Sequence, residues 1–211
     1  MRIGVIGLTH FHAHDMIAGL KEIPGVDVVA ICEPDDEIWQ KEGLDYNLPR
    51  YMDYREMLDK EKLQAVILEN PRPERAEVAA ECIKQGVSVL ADKPLCMKMS
   101  DIKLLRNAIE GRNAALFLYL TERYNPSVYT LFDLVEKGAI GQVVSFTSFR
   151  PHKLMADARP DWFWHRDTNG GILVDLTIHD VDIFCKLTKA NIREIYATHG
   201  NVANPSHPEF E

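Results

Sequence analysis

Arg2-Ile3-Gly4-Val5-Ile6-Gly7 runs into Leu8-Thr9-His10-Phe11-His12, and apolar residues then recur at helical spacing over 13–23, up to Pro24-Gly25. The first six residues, apolar and β-branched, read as a buried strand. The period then lengthens from two to about 3.6, so a helix follows across a tight turn at Gly7. Residues 26–32 are again almost continuously apolar, as a strand covered on both faces requires, and the run stops at Glu33-Pro34-Asp35. Strand, helix and second strand joined this way form a right-handed βαβ unit with parallel strands.

Working outward, the alternation continues with helices at 54–60, 75–85 and 100–110 and strands at 65–68, 87–91 and 115–119. This pattern specifies an α/β fold with a doubly wound parallel sheet, a Rossmann arrangement, over residues 1–121. After Thr121 the rhythm changes. A helix over 126–137 ends at Gly138, an alternating strand is expected at 142–150, and a loop rich in aromatic and charged residues fills 151–170. A helix over 171–187 and a strand over 193–199 complete a second domain, 122–211.

Composition narrows the function classes. In 211 residues, Lys and Arg number 24 against 32 Asp and Glu, a net charge of -8. That balance lacks the basic footprint of a protein that binds nucleic acid or an anionic membrane, so the expected partner is a small molecule. The four cysteines show no CxxC spacing and are expected to be reduced, in a cytoplasmic protein. The longest apolar run, 114–120, is far short of the roughly 18 residues of a membrane span. No export signal is expected, because His10, His12, His14 and Asp15 interrupt any signal-peptide core.

Four groups of residues are able to carry chemistry. Gly7-Leu-Thr-His-Phe-His12 occupies the place of the G-x-G-x-x-G dinucleotide loop and retains only its first glycine, so a plain tight turn and a cofactor loop both fit. The Thr9 hydroxyl is able to donate to a phosphate at the helix N-terminus. Glu33 ends the second strand, where a carboxylate accepts both ribose hydroxyls and repels a 2'-phosphate, or is simply a solvated strand end. His10, His12 and His14 alternate, but with no further His/Asp constellation at metal-like spacing they read as structural or substrate-facing histidines, and no metal is expected. Asp92-Lys93-Pro94 ends a parallel strand, the edge where such sheets place their chemistry. Asp175 and His179, four apart on one helix face behind Gly170-Gly171, are either a ligand-binding pair or part of a charged surface.

Gly7, Asp92-Lys93-Pro94, Tyr124-Asn125-Pro126, the segment Gly138-Ala-Ile-Gly-Gln-Val143 and Gly170-Gly-Ile-Leu-Val-Asp-Leu-Thr-Ile-His179, in this order and spacing, resemble the Gfo/Idh/MocA oxidoreductases over essentially the whole chain. The resemblance implies a Rossmann domain followed by an α/β domain with a mainly antiparallel sheet. It also implies hydride transfer between a nicotinamide cofactor and the carbinol or carbonyl of a sugar, polyol or related compound. Lys93, Asp175 and His179 match the family's catalytic positions. The implied cofactor contacts are Gly7, Thr9, His10, His12, Glu33, Pro71, Asp92 and Lys93. The implied substrate contacts are Lys93, Asp175 and His179, with Trp162, Trp164, His165 and Arg166 as a wall against a sugar face. NAD is the expected cofactor, with NADP the alternative, since no Arg or Lys adjoins Glu33 in the sequence. A cis Lys93-Pro94 peptide is also implied.

The sequence departs from the family at Thr9 and His12, and Arg75 stands where a histidine is common. Family members extend further, so the second sheet is expected to be cut off after its second strand, and a homo-oligomer through that sheet is implied. Two other function classes stand beside the enzyme: a non-catalytic nucleotide-sensing regulator of the same fold, and a metal-dependent hydrolase built on His10 and His12.

Overall fold

A computed structural model describes residues 1–151, 154–156, 159–202 and 205–210; His152, Lys153, Asp157 and Ala158 of the expected 151–170 loop lie outside it. The described residues form two units, Met1–Tyr119 and Leu120–Glu211.

The first unit alternates β1 (Arg2–Ile6), α1 (His12–Lys21), β2 (Asp27–Cys32), α2 (Asp36–Ile38), β3 (Arg50–Tyr51), α3 (Tyr54–Glu61), β4 (Ala65–Leu68), α4 (Arg72–Lys84), β5 (Ser88–Asp92), α5 (Met99–Ile109) and β6 (Leu116–Tyr119). All strand pairs are parallel, in the order β3-β2-β1-β4-β5-β6. The order reverses between β1 and β4, which opens a crevice beyond their carboxyl ends.

Strand periodicity divides the core between the two faces of the sheet. Val66 and Leu68 of β4 join one cluster with Met57, Ala79 and Ile83, while Ile67 joins Val5, Met16 and Ile17 on the opposite face. Gly4 faces α3, where an added Cβ would lie 2.6 Å from Leu63 Cδ1 and 2.9 Å from Met57 Cε, so a larger residue would force those side chains to shift.

The structure adds elements that periodicity did not show. Asp35 accepts hydrogen bonds from the Glu37 and Ile38 amides and starts α2, which continues through a π-helical stretch, Trp39–Gly43, to a 3-10 turn, Leu44–Tyr46. Strand β3 has two residues, too few to display a period, and is defined by its pairing with Ile31 and Cys32. Helix α4 begins three residues before the expected start because Pro73 falls in the first turn, where a missing N–H costs nothing.

In the second unit Asn125 caps α6 (Pro126–Glu136) through the Ser127 amide. Phe132 of α6 packs with Ile183 and Leu187 of α8 (Ile178–Thr188), and the short α7 (Arg166–Asn169) precedes a π-helical segment, Leu173–Thr177. The expected strands at 142–150 and 193–199, and the antiparallel sheet they were to form, are absent among the described residues. Alternation makes a segment competent to pair, but a strand exists only when a neighbour accepts its N–H groups.

Candidate active site

Gly7 is held at φ +86°, and a Cβ there would lie 2.4 Å from the Asn70 amide nitrogen. The β1 and β4 loops therefore touch backbone to backbone, which only glycine permits. A hydrogen bond also joins them, Thr9 N–H donating to the Glu69 carbonyl at 3.3 Å, while Gly7 N–H ties the turn to β2 through the Cys32 carbonyl at 2.8 Å.

Glu33 lies just beyond β2. Its Oε2 accepts the Leu8 amide at 2.8 Å and its Oε1 the Asp35 amide at 3.0 Å. Burial raises its carboxyl, and those two amide bonds partly offset the rise. The expectation that no cation adjoins Glu33 is corrected by tertiary structure. Arg50, from the neighbouring β3, donates from Nε to the Glu33 carbonyl at 2.8 Å and pairs with Asp36 at 2.7 Å. The Arg50 guanidinium lies over Trp39, and its Nη2 is buried, which directs it inward.

Across the crevice, His12 Nδ1 lies 2.9 Å from Asp92 Oδ1, and His10 Nδ1 is 3.9 Å from Asp92 Oδ2. Burial would raise the Asp92 carboxyl, but the His12 hydrogen bond and the charges of His12 and Arg75 outweigh it and hold the group low. Burial, reinforced by His12, pulls His10 down to about 3, so its imidazole is neutral at ordinary pH. His14 is separate, bound to Glu42 and Tyr46.

Beneath this cluster Arg75, 2% exposed, donates to the carbonyls of Asn70 (2.8 Å), Asp92 (3.0 Å) and Pro94 (3.3 Å). One guanidinium thereby ties the β4 loop to both sides of Lys93, on a Lys93–Pro94 peptide that is cis. Lys93 itself is 6% exposed. Glu69 is fully buried with both carboxyl oxygens lacking a hydrogen bond; burial first, then the charge of Asp92, drives it up to about 9. Asn70 likewise keeps both amide atoms buried without partners. Pro71 caps α4. Glu69 and Asn70 were missed in the sequence, although two polar residues directly after the apolar run 65–68 mark the carboxyl end of a central strand.

The residues fit a dinucleotide. The first amides of α1 are turned inward, His12 N–H to His10 Nδ1 and those of Ala13 and His14 to the His10 and Phe11 carbonyls, so the helix offers an anion its dipole; Glu33 supplies acceptors beside that turn, and the Asn70 carboxamide offers both a donor and an acceptor.

In the second unit, Asp175 lies in the π-helical segment and His179 at the start of α8, and both are buried. Such π-helical turns recur at functional positions. Trp162, His165 and Arg166 line an open cavity of about 950 Å³ with Glu209. His165 pairs with Glu209 at 3.3 Å and Asp161 at 3.5 Å, and the Glu209 bond raises its pKa. Trp164 is turned away into aromatic packing, stacked 3.8 Å from His207 and against Phe163 and Phe210.

Residues 1–120 match the family described as "Oxidoreductase family, NAD-binding Rossmann fold", and residues 128–210 match the GFO/IDH/MocA C-terminal domain. The chain is 27% identical over 207 residues to myo-inositol 2-dehydrogenase of Thermotoga maritima, covering 93% of this chain and 58% of that protein. A solved structure from Erwinia carotovora atroseptica superposes with a TM-score of 0.92 at 27% identity, over 100% of this chain and 63% of that one. Myo-inositol 2-dehydrogenase from Lactobacillus plantarum gives 0.83 at 25% identity, over 98% and 61%. The chain thus spans about three fifths of the length of these relatives. With both of its halves matched, the chain belongs to the Gfo/Idh/MocA oxidoreductase family, and its first domain is that family's NAD-binding Rossmann fold.

Proposed function

We propose that the protein is an NAD-dependent dehydrogenase that moves a hydride between nicotinamide and a carbinol or carbonyl carbon of a polyol or sugar. Buried Lys93 at the carboxyl end of β5, one strand from the switch point, carries this reading. Residues 1–121 bind the dinucleotide. Residues 122–211 belong to the substrate and oligomerisation domain.

Glu33 accepts the ribose hydroxyls, and the α1 N-terminus with Gly7 and Thr9 receives the pyrophosphate. His10, His12, Asn70, Pro71 and Asp92 line the nicotinamide side. Bound nicotinamide supplies the hydride chemistry. The chain's own task is the proton and the charge. His179 takes the hydroxyl proton on a ring nitrogen as the alcohol is oxidised and returns it in reduction. The Lys93 ammonium stabilises the developing alkoxide. Asp175, four residues before His179, supplies the acceptor that orients the imidazole or holds a neighbouring substrate hydroxyl. Trp162, His165 and Arg166 offer a polar and aromatic surface to the sugar.

The test is NAD reduction by inositols and aldoses, read at the nicotinamide absorbance, beside calorimetric NAD titration. Turnover of at least one polyol supports the reading. NAD binding with no turnover of any substrate favours the nucleotide-sensing alternative, and no NAD binding overturns both.

A further inference from the structure

His10 and His12 leave the carboxyl end of β1 while Asp92 closes β5, and the fold folds both histidines onto the two oxygens of that one carboxylate. Candidate ligand atoms of the three side chains all lie within 4.8 Å of one another. For a metal with ligand bonds of about 2.0 to 2.2 Å, a tetrahedral edge is roughly 3.3 to 3.6 Å. The Asp92 to histidine separations, 2.9 and 3.9 Å, bracket that edge. A bound ion would replace the His12–Asp92 hydrogen bond and the contact of the His12 amide with His10 Nδ1. We propose that His10, His12 and Asp92 form a site for a divalent transition metal of the Zn²⁺ class.

The donor set is chemically apt, because two imidazoles and one carboxylate suit Zn²⁺, Co²⁺ or Fe²⁺ rather than Mg²⁺ or Ca²⁺. The histidine rings meet edge to face with centroids 4.3 Å apart, which holds the two donors together. Asp92 has the support that metal carboxylates need, since Arg75 grips its carbonyl at 3.0 Å and lies 3.8 Å from its Oδ2. The histidine side chains retain 16% and 12% of their exposure, against 2% for the aspartate, so the cluster is backed by protein and open on the histidine side. Three protein ligands leave a fourth position for water or a substrate oxygen. The proposal goes beyond the dehydrogenase reading, which sets the same three side chains beside the nicotinamide, and its test without dinucleotide keeps the failure of one distinct from the failure of the other.

The experiment is a Co²⁺ titration of the chelator-stripped 211-residue chain without dinucleotide, followed by visible absorption and then Zn²⁺ displacement. The expected result is one Co²⁺ per chain with intense ligand-field bands, lost on adding Zn²⁺. His10→Ala, His12→Ala and Asp92→Asn should each weaken binding by roughly 100-fold or more. His14→Ala should leave it unchanged. Circular dichroism of each metal-free variant checks folding, and if Asp92→Asn unfolds, the two histidine variants decide. No stoichiometric binding by the native chain, or binding that survives both His10→Ala and His12→Ala, overturns the proposal.

Discussion

Arg75 Nη1 donates to the backbone carbonyl of Asp92 at 3.0 Å and lies 3.8 Å from its carboxylate. The pair is buried, so its worth lies in what would be stranded without it. Arg75→Met removes the cation and leaves three carbonyls and a charged carboxylate in a dry site, a loss of about 3 to 5 kcal/mol. Urea unfolding of the variant measures it. A change below about 1 kcal/mol would show that water replaces the guanidinium.

Glu33 holds the Leu8 and Asp35 amides, and in the proposed function its carboxylate also presents a negative edge to the ribose. NAD should therefore bind more tightly than NADP. Glu33→Gln, which turns one acceptor into a donor, should weaken NAD by about 10-fold or more, given ~1.5 to 3 kcal/mol for a charged hydrogen bond. Calorimetry with both cofactors decides, and equal affinities for NAD and NADP would rule out the ribose role.

If Lys93 supports the alkoxide, Lys93→Ala should lower turnover by roughly 100-fold or more and leave NAD affinity nearly intact. Steady-state rates with cofactor affinity measured separately provide the check. Undiminished turnover would remove Lys93 from the mechanism.

Glu69 sets a pH dependence. Its pKa rises from an ordinary 4.5 to about 9 in the folded chain, chiefly through burial. Between those values the folded state holds a proton that the unfolded state has released, so stability falls as pH rises through the window and is greatest below it. Glu69→Gln should flatten that slope and raise stability at pH 8 by on the order of 1 kcal/mol. Thermal melts from pH 5 to 9 test this, and identical slopes in the two proteins would show that Glu69 is ionised in the fold.

Val144, Phe149, Ile195 and Tyr196 are almost fully exposed on the two segments expected to be strands. Apolar residues in such numbers favour association, so the 211-residue chain should self-associate. Phe149→Glu with Tyr196→Glu should shift it toward monomer in light scattering. A native chain that is monomeric at all concentrations would contradict this.

The parallel alternation of the first unit was legible in the sequence because helix and strand periods are local, and buried parallel strands are nearly uniform apolar runs. The same reading put Gly7, Glu33 and Asp92-Lys93 at the carboxyl ends of strands, where the structure has them. Strands 142–150 and 193–199 failed for the opposite reason, since pairing depends on a neighbour that a segment's own residues do not encode. Distance along the chain hid the rest. Asp92 meets His12 from 80 positions away and Arg75 reaches Pro94 across 19, because neighbouring parallel strands deliver their carboxyl ends to one edge. The residue types at that edge are written in the sequence, but which of them share a carboxylate is decided only when the sheet order is set.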